Sequence, residues 1–136
     1  MGATNKGAIL VVDDDPDIRH TLQVILERNG YTVKTARDGA QGLRTLEEYQ
    51  PDLIIMDLMM NTDTEGYDTA CAIRDNPRFA HLPIIMLTCF LEKVRQEGPD
   101  NFQKLLGEEW PANWLFEKPV DPAKLLAKIE RIMKRA

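Results

Sequence analysis

The chain has 136 residues, enough for one domain with a full core and too few for two of ordinary size. Its net charge of −5 argues against nucleic-acid binding, because an acidic surface gains nothing from phosphate contacts. No apolar run reaches the length of a membrane span and the amino-terminal MGATNKGA holds no signal core, so no membrane association and a cytoplasmic location are expected. Cys71 and Cys89 each lie in an apolar stretch and read as small buried hydrophobes, not as a disulfide. Together with His20 and His81 they show no zinc-ligand spacing.

Strand and helix patterns alternate along the chain. Residues 1–7 read as a tail, and residues 8–136 as one domain. Ala8–Val12 is a continuous apolar, β-branched run, as expected of a strand buried on both faces. Asp15 and Pro16 then supply an N-cap and a first-turn proline, with Asp17 beside them as a capping residue. Ile18, Leu22, Ile25 and Leu26 share one helical face, and Asn29-Gly30 closes the helix. Residues 31–36 alternate as a shorter strand. Asp38 caps a second helix with Leu43 and Leu46 turned inward, and residues 52–56 form the next buried strand.

A third helix is predicted over residues 66–76, with Ala70 and Ile73 inward, followed by a strand over 84–87. Residues 91–113 have a helical flavour broken by Gly98-Pro99, Gly107 and Pro111. A last short strand covers 114–116. Asp121-Pro122 repeats the cap-and-proline signal before an amphipathic helix carrying Leu125, Leu126, Ile129, Ile132 and Met133, whose basic end suits the helix dipole. Five strands alternating with helices predict an α/β fold: a doubly wound, open parallel sheet with helices on both faces. Ligands of such folds sit at the carboxyl ends of the strands, where the strand order switches.

That rule selects the candidate residues. The first strand ends in Asp13-Asp14, the third in Asp57, the fourth in Thr88 and the fifth in Lys118. Three carboxylates in one crevice repel one another. A hard divalent cation such as Mg2+, which takes oxygen ligands, relieves that repulsion. A phosphoryl group added to Asp57 would bring more negative charge, and the cation, the Lys118 ammonium and the Thr88 hydroxyl are the groups suited to stabilise it. Each motif alone has a plainer reading: a solvated helix cap, a turn aspartate, a β-forming threonine, a surface Lys-Pro. Their joint placement at four strand ends, in order, favours the functional one. His20 reads as exposed on the first helix, and His81 as a loop residue; neither is expected to carry phosphate.

The segments ILVVDDDPDI at 9–18, DLIIMDLMM at 52–60, PIIMLT at 83–88 and FEKPVD at 116–121 resemble, in order, the motifs of response-regulator receiver domains of two-component signalling. The resemblance covers nearly the whole chain. It implies a flavodoxin-like sheet in the order 2-1-3-4-5. It also implies Asp57 as phosphoacceptor, Asp14 as a direct Mg2+ ligand, Asp13 acting on the ion mainly through water, and the Met59 main-chain carbonyl as a further ligand. Thr88 would bond a phosphoryl oxygen, Lys118 would pair with the phosphoryl group, and the Lys118-Pro119 bond is often cis in such domains. The implied partners are a sensor histidine kinase or phosphotransfer protein, and an output protein or an output domain beyond this chain. The implied activity is a switch with slow autodephosphorylation, not a metabolic enzyme.

Three features depart from that pattern. The loop NTDTEG at 61–66 lacks the usual early proline. The stretch between Thr88 and Lys118 is several residues longer than usual and carries Trp110 and Trp114, beside the surface where such domains engage output partners. The position three before the lysine, commonly an aromatic that swings inward on activation, is Leu115 between Trp114 and Phe116, so Thr88 is expected to act on residues 89–92 instead. Phe90, two residues past Thr88, would flank an acyl phosphate and limit water access. Two other readings compete. A Mg2+ phosphohydrolase would need an acid two residues past Asp57, where Met59 stands. A structural pseudo-receiver that serves as an interaction module would not need the full set of Asp13, Asp14, Asp57, Thr88 and Lys118.

Overall fold

A computed structural model describes residues 6–58, 60, 65–88, 113–118 and 120–135. Its strands are β1 (Ala8–Val12), β2 (Thr32–Ala36), β3 (Leu53–Asp57), β4 (Ile84–Thr88) and β5 (Trp114–Glu117). Its helices are α1 (Pro16–Arg28), α2 (Gly39–Glu48), α3 (Glu65–Asp75), a single 3₁₀ turn (Pro77–Phe79) and α4 (Pro122–Arg135). All strand pairs are parallel, in the order β2-β1-β3-β4-β5. The doubly wound α/β architecture with strand order 2-1-3-4-5 is therefore the one observed. The order reverses between β1 and β3, which leaves a crevice at their carboxyl ends.

The continuous apolar runs follow from burial on both faces of the sheet. Ile9, Val11, Leu53, Ile55, Ile85 and Leu87 meet Leu22 and Leu26 of α1 and Leu125 and Ile129 of α4. Leu10, Val12, Ile54, Met56, Ile84 and Met86 meet Leu46 of α2 and Ala70 and Ile73 of α3. Each fully buried side chain of this kind contributes roughly 1.5–3 kcal/mol. A one-residue slip of any central strand would exchange the two sets, so register is fixed by both layers at once.

The helix signals act as expected. Asp15 accepts from the Asp17 amide at 2.9 Å, Asp38 from the Gln41 amide at 2.8 Å and Asp121 from the Ala123 amide at 2.9 Å. Gly30 takes φ +94° after the Asn29 C-cap, a left-handed turn that other residues rarely adopt. Leu43 is a correction to the sequence reading: it is 36% exposed. Helix α2 buries Gly39 against α3 and Gly42 and Leu46 toward the sheet, and a Cβ at Gly42 would stand 3.2 Å from Val12 Cγ2. This glycine-based approach turns Leu43 to the flank. Cys71 is likewise only half-buried, because Ala70 and Ile73 take the inward face of α3. Residues 61–64, Cys89, Phe90, the 91–112 stretch with Trp110, and Pro119 lie outside the described residues.

One structural residue gave no sequence signal. Arg74 of α3 donates through one guanidinium nitrogen to the carbonyls of Phe79, Ala80 and Leu82, and through the other to Asn113 Oδ1 at 2.6 Å. Asn113 Oδ1 also accepts from the Ile84 amide at 2.9 Å. Burial pulls the Arg74 pKa below the usual arginine value, and its donors hold the entry to β4 against the start of β5. Arg74→Ala should lower stability by about 2 kcal/mol, read as a lower urea midpoint at unchanged slope. Arg74→Lys should recover only part of it, since an ammonium lacks the planar fork; an unchanged midpoint in Arg74→Ala would mean that water replaces the guanidinium.

Candidate functional site

The site is built at the carboxyl edge of β1, β3, β4 and β5. Asp13 follows β1 directly, and its amide still pairs with the Ala36 carbonyl at 3.1 Å. It is 1% exposed. Its Oδ1 accepts from the Asp15 amide at 2.9 Å and its Oδ2 from Lys118 Nζ at 3.1 Å. Asp57, the last residue of β3, is 3% exposed, and its Oδ1 lies 3.3 Å from the same ammonium. Asp14 is exposed, and among the described residues its carboxylate takes part in no hydrogen bond or ion pair. One ligand atom from each of Asp13, Asp14 and Asp57 lies within 4.8 Å of the others.

Thr88 ends β4 fully buried. It reaches this edge by register: Leu87 pairs with Asp57, and the Thr88 carbonyl accepts from the Lys118 amide at 2.8 Å. The Lys118 backbone is thus fastened to β4 while its side chain crosses to Asp13 and Asp57. Burial alone would pull its ammonium pKa down, but the Asp57 and Asp13 carboxylates outweigh burial and hold it above the usual lysine value. The Met59 carbonyl, the remaining candidate ligand, is outside the described residues.

Two contributors were not read from the sequence. Arg19 Nη1 donates to the Asp13 main-chain carbonyl at 2.7 Å. Gly66, in the first turn of α3, sends its amide to the Leu58 carbonyl at 2.9 Å, and a Cβ there would collide with the Asp57 carbonyl oxygen and the Leu58 backbone. The general loop signal of Gly66 was visible, but the contact that requires glycine is a tertiary one. On β5, Leu115 packs on the α2/α3 side, while Trp114 and Phe116 pack on the α1/α4 side. Lys128 Nζ stands 5.6 Å from the Trp114 ring centroid. Beside Lys118, an apolar cavity of about 420 Å³ opens between α1 and α4, with Ile18, Leu22, Leu87, Val120 and Leu125 in its wall.

The family model of the response regulator receiver domain matches residues 9–130. The chain belongs to this family. It is a receiver of the two-component type, and its aspartate cluster fits the phosphorylation site of such domains. The chain is 35% identical over 134 residues to the transcriptional regulatory protein GltR of Pseudomonas aeruginosa, covering 98% of this chain and 52% of that protein. The receiver therefore spans about half the length of that curated relative. Among solved structures it is similar to the signal receiver domain of a signal transduction histidine kinase from Syntrophus aciditrophicus (TM-score 0.82, 29% identity, covering 96% of this chain and 92% of that one). It is also similar to the response regulator TrrA of Thermotoga maritima, solved in complex with Mg2+-BeF (TM-score 0.72, 30% identity, covering 92% and 97%). No described helix of this receiver is long and apolar enough to cross a membrane.

Two outcomes follow from the site's packing and charge. Gly66→Ala should cost about 1–3 kcal/mol through overpacking and shift the amide resonances of Asp57 and Leu58; unchanged resonances would show that α3 moves instead. The Lys118 pKa is raised on folding, so its contribution is complete below the unfolded value of about 10.4 and is lost as pH rises through the higher folded value. The stability difference between wild type and Lys118→Gln, measured by denaturant unfolding, should be flat from about pH 7 to 10 and shrink above that.

Proposed function

We propose that this receiver is a phosphoryl-accepting switch with Asp57 as the acceptor, supplied by a histidine kinase or a phosphotransfer protein. The observation that carries this reading is the pairing of two buried carboxylates, Asp13 and Asp57, with one ammonium at 3.1 and 3.3 Å, beside an exposed Asp14 that has no ion pair among the described residues. A carboxylate oxygen of Asp57 attacks the donor phosphorus as the bond from phosphorus to the donor nitrogen breaks. The new acyl phosphate adds negative charge where Lys118 already donates, and the buried Thr88 hydroxyl is the group on β4 suited to bond a phosphoryl oxygen.

The donor set is all oxygen, which suits Mg2+ over softer ions. Asp14 and Asp57 would hold the ion directly, with the Met59 carbonyl as a further ligand. Asp13, both of whose oxygens already accept hydrogen bonds, would act on it through water. Bound there, Mg2+ would offset charge on the phosphoryl oxygens. The apolar cavity beside Lys118 supports docking of the donor protein over α1 and the start of α4.

Release is slow hydrolysis: water attacks phosphorus, inorganic phosphate leaves and the Asp57 carboxylate returns. The domain is taken as residues 8–136 after a short tail, located in the cytoplasm, with output through a protein partner or an attached domain. It is a signalling switch and not a metabolic enzyme.

Incubation with acetyl phosphate and Mg2+, followed by intact-mass measurement, should show one added phosphoryl group on wild type. It should be absent from Asp57→Ala and absent when a chelator is present. A wild-type chain that stays unmodified would instead favour a receiver fold used only as an interaction module.

A further inference from the structure

We propose that Arg19 is a positioning residue for the metal-binding acids. Its tether to the Asp13 carbonyl fixes the Asp13-Asp14 peptide, so that the Asp14 carboxylate faces Asp57. This inference rests on the reading above that these acids hold Mg2+.

Arg19 is the fourth residue of α1, in its first turn. A cation is disfavoured there, because the exposed amides give a helix N-terminus partial positive charge. Side chains on a helix lean toward its N-terminus, so Arg19 can reach back past its own first turn. It does so, and ends on the Asp13 carbonyl at 2.7 Å.

Asp13 is thereby held at four atoms. Its amide pairs with Ala36, its two carboxylate oxygens accept from Asp15 and Lys118, and its carbonyl accepts from Arg19. Asp14 is the opposite case: an exposed carboxylate with no hydrogen bond of its own among the described residues. The point from which its side chain starts, and so the space its carboxylate can reach, is set by the peptide that precedes it. The oxygen of that peptide is the one Arg19 holds. Loss of the guanidinium frees the Asp13-Asp14 peptide to rotate, and Asp14 swings away from its place near Asp57.

The sign of one measurement separates this role from a simple charge effect. A guanidinium near a cation site repels the cation through space, so removing it would tighten Mg2+ binding if charge were its only influence. Removing a positioning group weakens binding instead, typically by tenfold or more for groups that orient metal ligands.

The test is titration of the whole chain with MgCl2 at low ionic strength, followed by amide resonances, for wild type, Arg19→Met, Arg19→Gln and Arg19→Lys. Thermal unfolding without metal reports whether each variant is folded. Arg19→Met should bind Mg2+ about tenfold more weakly. Arg19→Gln and Arg19→Lys, which keep a donor, should recover part of the affinity. In acetyl phosphate reactions the Mg2+ concentration for half-maximal rate should rise in Arg19→Met, while the rate at saturating Mg2+ stays near wild type. Arg19→Met that binds as tightly as wild type, or more tightly, overturns the positioning role alone. A wild-type chain that binds no Mg2+ overturns the functional reading and this inference together.

Discussion

The site depends on one ion triad: a single ammonium, Lys118, shared between the buried carboxylates of Asp13 and Asp57. At 1% and 3% exposure both acids are almost wholly withdrawn from bulk solvent. A buried carboxylate without a partner is costly, and the one ammonium offsets that cost for both acids. Among the described residues, three carboxylates against one ammonium still leave two negative charges in excess. That excess suits a divalent cation, and Asp14 gives the cluster its exposed carboxylate.

The parallel sheet makes this triad possible. Asp13, Asp57, Thr88 and Lys118 come from positions as far as 105 residues apart, and only the common polarity of the strands brings their carboxyl ends to one edge. The apolar layers below hold register, so each strand delivers its polar residue at a fixed height. Behind Asp57 the α3 backbone closes in at Gly66, and β4 anchors the Lys118 amide through the Thr88 carbonyl.

β5 gives this receiver its own character. Leu115 occupies the α2/α3 side of the strand, and the aromatic residues Trp114 and Phe116 occupy the other. No ring stands three residues before Lys118 to report on Thr88. The aromatic bulk instead lies with the α1/α4 layer, where Lys128 covers Trp114. Changes at Thr88 that reach β5 would pass through the Lys118 backbone, which Thr88 holds directly.

The fold was legible because its signals are local. Continuous β-branched runs, aspartate caps, Pro16 and Pro122, and Gly30 each state an element or its end in a few residues. The candidate acids, Thr88 and Lys118 were legible as polar residues closing apolar strands. Only tertiary structure decided the rest. Leu43 lies at the flank because Gly42 lets α2 settle against Val12, a contact between elements that helical spacing cannot report. The pairing of Lys118 with Asp13 as well as Asp57, the guanidinium of Arg74 on three carbonyls, and the hold of Arg19 on the Asp13 carbonyl all join a side chain to a partner chosen by packing. Sequence fixes which groups can donate and accept; the distances that select one partner from many arise when the layers close.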